Sequence, residues 1–239
     1  MLDDLKYLFA YTVPLATLFS IFSDGIMTFI TPIYTFVFIP LLEIILKDKD
    51  FNSNYSEKQI ENKLTNKIFD YLLYGNIPLV FIILFSGIYI LSNNSLMMYE
   101  IIGITLSLGI LLATNAINVA HELGHRKSIF ERTLSKLLLI PCLYMHFYLE
   151  HNFGHHKNVA TPEDPATSKH NQTVYSFWIT SVFNQYLNAW NIQKDILDRS
   201  NKGFLSISND MIWYHLIQFG YLFLVYSFFG LLKPRGPYS

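Results

Sequence analysis

A chain of 239 residues that is 51% hydrophobic, 16% aromatic and only 15% charged, with a mean hydropathy of +0.29, is too apolar for one or two ordinary soluble domains. Its formal net charge of −1 removes the electrostatic case for a nucleic-acid partner. The single cysteine, Cys142, excludes an internal disulfide and reads as a small core residue in an apolar run.

The apolar residues come in blocks. From Tyr7 to Leu46 the charged residues are Asp24 and Glu43 alone, room for two helices of the ~20 residues that cross a hydrocarbon core. Ser23, Asp24 and Gly25 supply a tight turn at the middle. The pattern therefore predicts a helical hairpin over about 7–46, with arms at 7–22 and 27–46. The chain opens Met-Leu-Asp-Asp, without the basic start or small-residue cleavage site of a signal peptide, so the first helix is expected to be retained. A second hairpin is predicted over about 70–120, with arms at 70–92 and 99–120 and a turn at Ser92, Asn93 and Asn94.

The stretch 129–149 has an apolar core, Leu137 to Leu149, too short to span the bilayer. It is expected to be re-entrant or interfacial, returning the chain to the side it left. A cytoplasmic segment over 150–208 follows. Within it, 172–198 is predicted helical and rich in aromatics, among them Tyr175, Trp178, Tyr186 and Trp190. It reads as a surface-lying or ordinary amphipathic packing helix. The last helix, about 211–232, is interrupted only by polar His215 and Gln218. Five transmembrane helices result.

The turns 23–26 and 92–98 hold no Lys or Arg. The segment 47–69 carries Lys47, Lys49, Lys58, Lys63 and Lys67, and Arg126, Lys127, Arg132 and Lys136 follow the fourth helix. The positive-inside rule places the N-terminus and both long polar stretches in the cytoplasm. Lys233 and Arg235 fall on the other side.

Five of the eight histidines fall in two clusters, His121 with His125 and His151 with His155 and His156. Neutral imidazole suits iron, zinc, copper or nickel, and five such donors exceed one tetrahedral zinc site. The spacing predicts two metal ions at one membrane face. His121 and His125, four apart, share a helix face. Asn118 shares that face, either fixing a ligand's tautomer or serving as a structural membrane asparagine. His121-Glu122-Leu123-Gly124-His125 also fits the H-E-x-x-H of zinc proteases, with Glu122 as general base. Three further histidines argue against that, since a protease needs one more ligand. A lone histidine is more often a bonded core residue, and the paired boxes reverse those odds. Glu122 and Glu150, each beside a ligand histidine, are the acids best placed to offset metal charge, ahead of Glu163 and Asp164. His146, four before Glu150, reads as a partner of that carboxylate rather than a ligand. His170 is expected to be no ligand, and His215 either bonds between helices or completes the site.

Together the boxes resemble the AlkB-type membrane alkane monooxygenases. The matching residues are HELGHRK from His121, then MHFYLEHNFGHHKNVATPEDPATS from Met145 to Ser168. The segment ATPEDPATS, Ala160 to Ser168, carries most of the likeness, and a weaker likeness takes in PLLE at Pro40 to Glu43 and the Trp190 region. The resemblance implies an all-α, multi-pass membrane protein with about five of an expected six helices. It implies a single hydroxylase domain over 1–239, in a bacterial cytoplasmic (inner) membrane with the histidines on the cytoplasmic face. It further implies two non-haem iron ions, with His121, His125, His151, His155 and His156 as ligands and Glu122, Glu150, Asn118 and His146 around them. The implied reaction puts one atom of O2 into the terminal C–H of an alkane or alkyl chain. Electrons would come from a rubredoxin and its NADH-dependent reductase. A fatty-acyl desaturase or related di-iron hydroxylase shares the metal pattern in looser form. A zinc protease and an inactive membrane fragment compete less strongly with the hydroxylase. The family pattern continues with an N-Y-x-E-H-type stretch and an H-x-x-H-H cluster, neither of which occurs in 1–239. The expectation is a chain incomplete at its C-terminus that alone binds iron incompletely and turns over poorly.

Overall fold

The computed structural model describes residues 2–46 and 66–230. Lys47, Lys49, Lys58, Lys63, Lys233 and Arg235, which carry part of the orientation reading, lie outside the described residues, as does the end of the helix expected to reach Leu232. All regular structure among the described residues is helical. The chain divides into two compact units, Met1–Val119 with Phe229–Ser239, and Ala120–Phe228.

In the first unit a 3-10 stretch, Leu2–Tyr11, leads into α1 (Thr12–Ile21). Then come α2 (Gly25–Leu46), α3 (Ile68–Asn93) and α4 (Met98–Gly124), whose last residues, from Ala120, belong to the second unit. The second unit continues with α5 (Ile129–Leu139), a short helical run α6 over 147–158, α7 (Val174–Arg199) and α8 (Asp210–Phe229). Among the described residues four helices, α2, α3, α4 and α8, are long and apolar enough to cross a membrane, which makes this an integral membrane protein. The arm expected at 7–22 is the shorter helix Tyr7–Ile21. Its opening residues are wound as 3-10 turns and it stops before the turn at Ser23, so among the described residues four helices meet the length of a span where five were predicted. Outward-facing Phe36, Ile44 and Ile45 on α2 are about 70% exposed, a surface suited to lipid rather than water.

Small and polar residues let the helices of the first unit approach closely. Ser20 Oγ lies 3.0 Å from Thr31 Oγ1 and accepts from the Thr31 N–H at 3.0 Å, and Ser107 donates to the Thr28 carbonyl at 3.1 Å. Asn115 Nδ2 donates to Asn76 Oδ1 at 2.8 Å and to the Ala10 carbonyl at 3.1 Å. Glu100 ties two turns together. Its Oε1 accepts from the Gly25 N–H at 2.6 Å and its Oε2 from the Met97 N–H at 2.7 Å. Gly25, at φ 63°, takes the left-handed conformation that this turn requires.

In the second unit the stretch 129–149 is not one helix. α5 ends at Leu139, residues 140–146 turn through Pro141 and a left-handed Leu143 at φ 51°, and helix resumes at Phe147. Broken in this way, the stretch cannot cross as a single span. Thr173 caps α7, accepting from the Ser176 N–H at 3.3 Å, and Asn209 Oδ1 caps α8, accepting from Met211 N–H at 3.1 Å.

Gly103 of α4 sits at a close helix contact in the first unit. A Cβ there would lie 2.9 Å from both Thr28 Cβ and Phe29 Cδ2, whereas Gly109 on the same helix has nothing within 4 Å. Gly103→Val is therefore expected to destabilise the unit by about 1–3 kcal/mol, read as a lower thermal midpoint in detergent, with Gly109→Val as the matched control. Equal midpoints for the two variants would contradict this packing.

Candidate metal centre

The end of α4 reaches the first histidine pair through a change of helical pitch. Leu112–Ile117 is wound as a π-helix, and Asn118–Gly124 returns to α. His121 lies in that last α segment and His125 just beyond it. Leu123 is fully buried, and the bare Cα of Gly124 admits its neighbours: a Cβ there would lie 3.2 Å from Ser135 Oγ and 3.7 Å from Tyr148. Ser135 of α5 donates to the Ala120 carbonyl at 2.6 Å, fixing α5 against this turn.

The second cluster lies on α6, and His151–His155 is again π-helical. A π turn bonds i to i+5 rather than i+4. It brings His151 and His156, five apart, to one face and turns His155 aside. The Nε2 atoms of His151 and His156 are 2.9 Å apart; His125 Nε2 lies 3.1 Å from both His121 and His151 and 3.3 Å from His156. The ligand atoms of these four histidines all fall within 4.8 Å of one another. Four nitrogens about 2 Å from one ion would lie roughly 3.3 Å apart in a tetrahedral arrangement. The donor set and its spacing therefore fit a bound metal ion. Phe147 stacks on the His151 ring at 4.8 Å and 19°. Burial, with the neighbouring imidazoles adding to it, pushes His151 down to about 3, and burial likewise lowers His156. Both effects favour the neutral ring that binds metal.

His155 is not in this group. Its Nδ1 lies 2.9 Å from Asp164 Oδ2, and its ring stacks on His151 at 5.3 Å and 23°. Asp164 is buried, and burial opposes its ionisation. Hydrogen bonds from Thr167 Oγ1, the Ala166 N–H and His155 nevertheless hold its carboxyl below the usual range. Thr167 Oγ1 also accepts from the Ala160 N–H at 3.1 Å. The loop ATPEDPATS is thus a clasp that aims one carboxylate at one histidine. With Nδ1–H donated to Asp164, Nε2 is the ring's lone-pair atom.

The other acids and the histidines outside the cluster lie as follows. Glu122 is exposed and its Oε1 pairs with Arg126 at 3.0 Å. Glu150 is 1% exposed; its Oε1 accepts from Asn188 Nδ2 at 3.2 Å, its Oε2 has no partner among the described residues, and burial raises its carboxyl. Gly154 makes room for that bond, since a Cβ would lie 2.8 Å from both Glu150 Oε1 and Asn188 Nδ2. The carboxylate of Glu150 therefore goes to α7 and not to His146. The His146 ring packs edge-on to Tyr144 and Tyr186 at 4.6 and 5.2 Å, and burial, with His215 second, lowers it to about 4. Asn118 is exposed three residues before His121, Glu163 and His170 are exposed in the loop before α7, and His215 bonds between helices to Tyr186 at 3.0 Å. Asn188 escaped the sequence reading, although Asn184, Asn188 and Asn191 at helical spacing were a legible polar stripe.

Comparison with known proteins agrees with this geometry. The fatty acid desaturase family matches residues 99–236, which take in both histidine boxes. An alkane 1-monooxygenase of Pseudomonas putida is 33% identical over 192 residues, 80% of this chain and 47% of its own length. One from Acinetobacter baylyi is 36% identical over 183 residues, 76% and 44%. The hydroxylase component of a xylene/toluene monooxygenase from Pseudomonas putida is 26% identical over 219 residues, 89% and 56%. The chain spans about half the length of the curated relatives it matches.

Two substitutions test the candidate donors and the loop behind them separately. His151→Ala is expected to lose metal from the four-nitrogen group. Asp164→Asn, which weakens the orienting acceptor of His155, is expected to lower metal affinity by about 10–100-fold. Metal content by mass spectrometry and competition with a chelator read both, and unchanged retention in Asp164→Asn would remove the loop from the centre.

Proposed function

The chain belongs to the fatty acid desaturase family, and from that premise we propose that it is a membrane di-iron hydroxylase of the alkane 1-monooxygenase kind, inserting oxygen at the terminal C–H of an alkane or alkyl chain. The observation that carries this is the convergence of His121, His125, His151 and His156 Nε2 atoms at 2.9–3.3 Å, within a chain whose similar proteins include alkane 1-monooxygenases.

On this reading the four histidines hold one iron, and His155, oriented by Asp164, serves a second. Iron bound there supplies the oxidising chemistry, with O2 as co-substrate, one oxygen atom going to the substrate and the other to water. The chain's own part is positioning. The clasp Asp164–Thr167 fixes the His155 tautomer, Phe147 covers His151, and burial favours the neutral rings of His151 and His156. Glu122, Glu150, Asn118 and His146 surround the centre without being ligands. The two electrons come from a rubredoxin served by an NADH-dependent reductase, which places the histidines on the cytoplasmic face of a bacterial inner membrane. The turns 23–26 and 92–98, bare of Lys and Arg, support that orientation. The same proposal takes 1–239 as one hydroxylase domain.

A fatty-acyl desaturase is the second reading, favoured by the family match itself. The protease reading loses support because Glu122, its required base, is paired with Arg126. Product analysis separates the first two. Membranes holding the iron-loaded chain, given n-octane, NADH, a rubredoxin and its reductase, are expected to yield the primary alcohol, and His151→Ala to abolish it. An olefin from a fatty-acyl substrate, with no alcohol from octane, would transfer the assignment to the desaturases.

A further inference from the structure

The second unit holds a continuous file of aromatic rings that starts at the histidine cluster. Phe147, stacked on His151, also stacks on Tyr144 at 5.4 Å and 20°. Tyr144 meets the His146 ring at 4.6 Å, and His146 meets Tyr186 at 5.2 Å. Tyr186 lies 5.8 Å from the His215 ring, which stacks on Trp190 at 5.5 Å and 27°; Trp190 stacks on Phe204 at 5.6 Å and 21°. Phe204 is 59% exposed, so the file ends at the surface. Such ring spacings are ordinary for packed aromatics. What distinguishes this file is the hydrogen bonding of its two phenols.

Tyr144 donates its O–H to Gln185 Oε1 at 2.9 Å, an amide oxygen that does not take a proton near neutral pH. Tyr186 is placed differently. His215 Nδ1 lies 2.6 Å from the Met211 carbonyl oxygen, which can only accept, so Nδ1 carries the ring proton. The lone pair is then on Nε2, 3.0 Å from the Tyr186 hydroxyl. The Tyr186 phenol therefore donates to a base, and this assignment follows from the pairing around the ring. Of the two tyrosines in the file, Tyr186 alone can lose an electron and hand its proton on in the same event.

We propose that Tyr186 and His215 form a redox-active pair that carries an oxidising equivalent away from the histidine cluster when no substrate consumes it. An oxidised metal ion held by the four histidines would be the electron acceptor, reached from Tyr186 through His146, Tyr144 and Phe147. Tyr186 loses one electron to it, its O–H bond breaks, and the proton forms an N–H bond on His215 Nε2. A neutral tyrosyl radical and an imidazolium result, the latter still donating from Nδ1 to Met211. A soluble one-electron reductant at the exposed end, acting through Phe204 and Trp190, restores the phenol as the proton returns from His215. The link to the cluster rests on the redox reading given above, whereas the competence of the pair does not.

With 16 tyrosines in the chain, the radical must be located rather than merely detected. The 239-residue chain in detergent micelles, carrying 3,5-difluorotyrosine at position 186, is oxidised in two ways. In one arm the metal-free protein meets photogenerated ruthenium(III) tris-bipyridine; in the other the iron-loaded protein meets hydrogen peroxide. Electron paramagnetic resonance is expected to show a neutral tyrosyl signal with fluorine splitting in both arms. The splitting should vanish in His215→Gln, which keeps an acceptor but no base, and the label placed at 144 should give none. In unsubstituted chain, radical formation should be slower in D2O. A signal without fluorine splitting in the ruthenium arm, or equal rates in H2O and D2O, would overturn the pair; splitting with ruthenium but not with iron and peroxide would overturn its connection to the cluster. Neither arm requires turnover, so a chain that hydroxylates nothing yet gives the labelled radical counts against the hydroxylase reading alone.

Discussion

The π-helical turn over His151–His155 is the constraint on which the histidine centre depends. In an α-helix the ring of residue i is shadowed by that of i+4, which would pair His151 with His155 and leave His156 pointing elsewhere. Bonding from i to i+5 changes the partner. His156 joins His151 at 2.9 Å while His155 swings to Asp164. One inserted residue's worth of winding thus sorts three consecutive-looking histidines into two roles. The wider turn leaves the helix short of regular α bonding, and the surrounding contacts hold it. Gly154 lies where any side chain would collide with Glu150 and Asn188, and Phe147 stacks beneath His151. A second π segment, Leu112–Ile117, precedes His121 on α4, so both histidine boxes follow or contain a local change of pitch.

This also marks the limit of what the residues disclose before folding. Blocks of apolar residues and the turns between them gave helix positions closely: 27–46 became Gly25–Leu46, 70–92 became Ile68–Asn93, 99–120 became Met98–Gly124 and 172–198 became Val174–Arg199. Composition and helical period suffice there, because lipid-facing helices answer mainly to hydropathy. The arm at 7–22 was less legible, since its opening turns are 3-10 and its apolar run overstates the helix. At the site, the i, i+4 pair His121 and His125 could be read directly from spacing. The sorting of His155 from His156 could not, because π winding leaves no mark in composition. Nor could Glu100, whose two bonds to the turns at Gly25 and Met97 join residues distant in sequence.

Charge arrangement around the cluster follows from the same sorting. A metal ion among neutral imidazoles carries uncompensated positive charge, and in a poorly solvated site that charge needs a fixed negative partner. The four convergent histidines have no carboxylate among them. Asp164 supplies one at a remove, kept ionised by three hydrogen bonds despite its burial. ATPEDPATS therefore matters for its shape: Ala166 and Thr167 are spaced to bond the Asp164 side chain, leaving an oxygen for His155.

Glu150 makes the complementary case. Like Asp164 it is almost without solvent exposure, and it adjoins a cluster histidine in sequence, yet among the described residues it has a single donor, Asn188, and an oxygen without a partner. Burial outweighs that one bond and pushes the carboxyl toward its protonated form. The two acids are thus driven in opposite directions: burial, with the nearby Asp164 charge, raises Glu150 against its one donor, while three hydrogen bonds lower Asp164 against its burial. The fixed negative charge behind His155 belongs to Asp164, while Glu150, joined to α7 through Asn188, holds α6 and its widened turn in place. Proximity in sequence made Glu150 the more obvious counter-charge, but the hydrogen-bond supply assigns that role to the acid nine residues beyond His155.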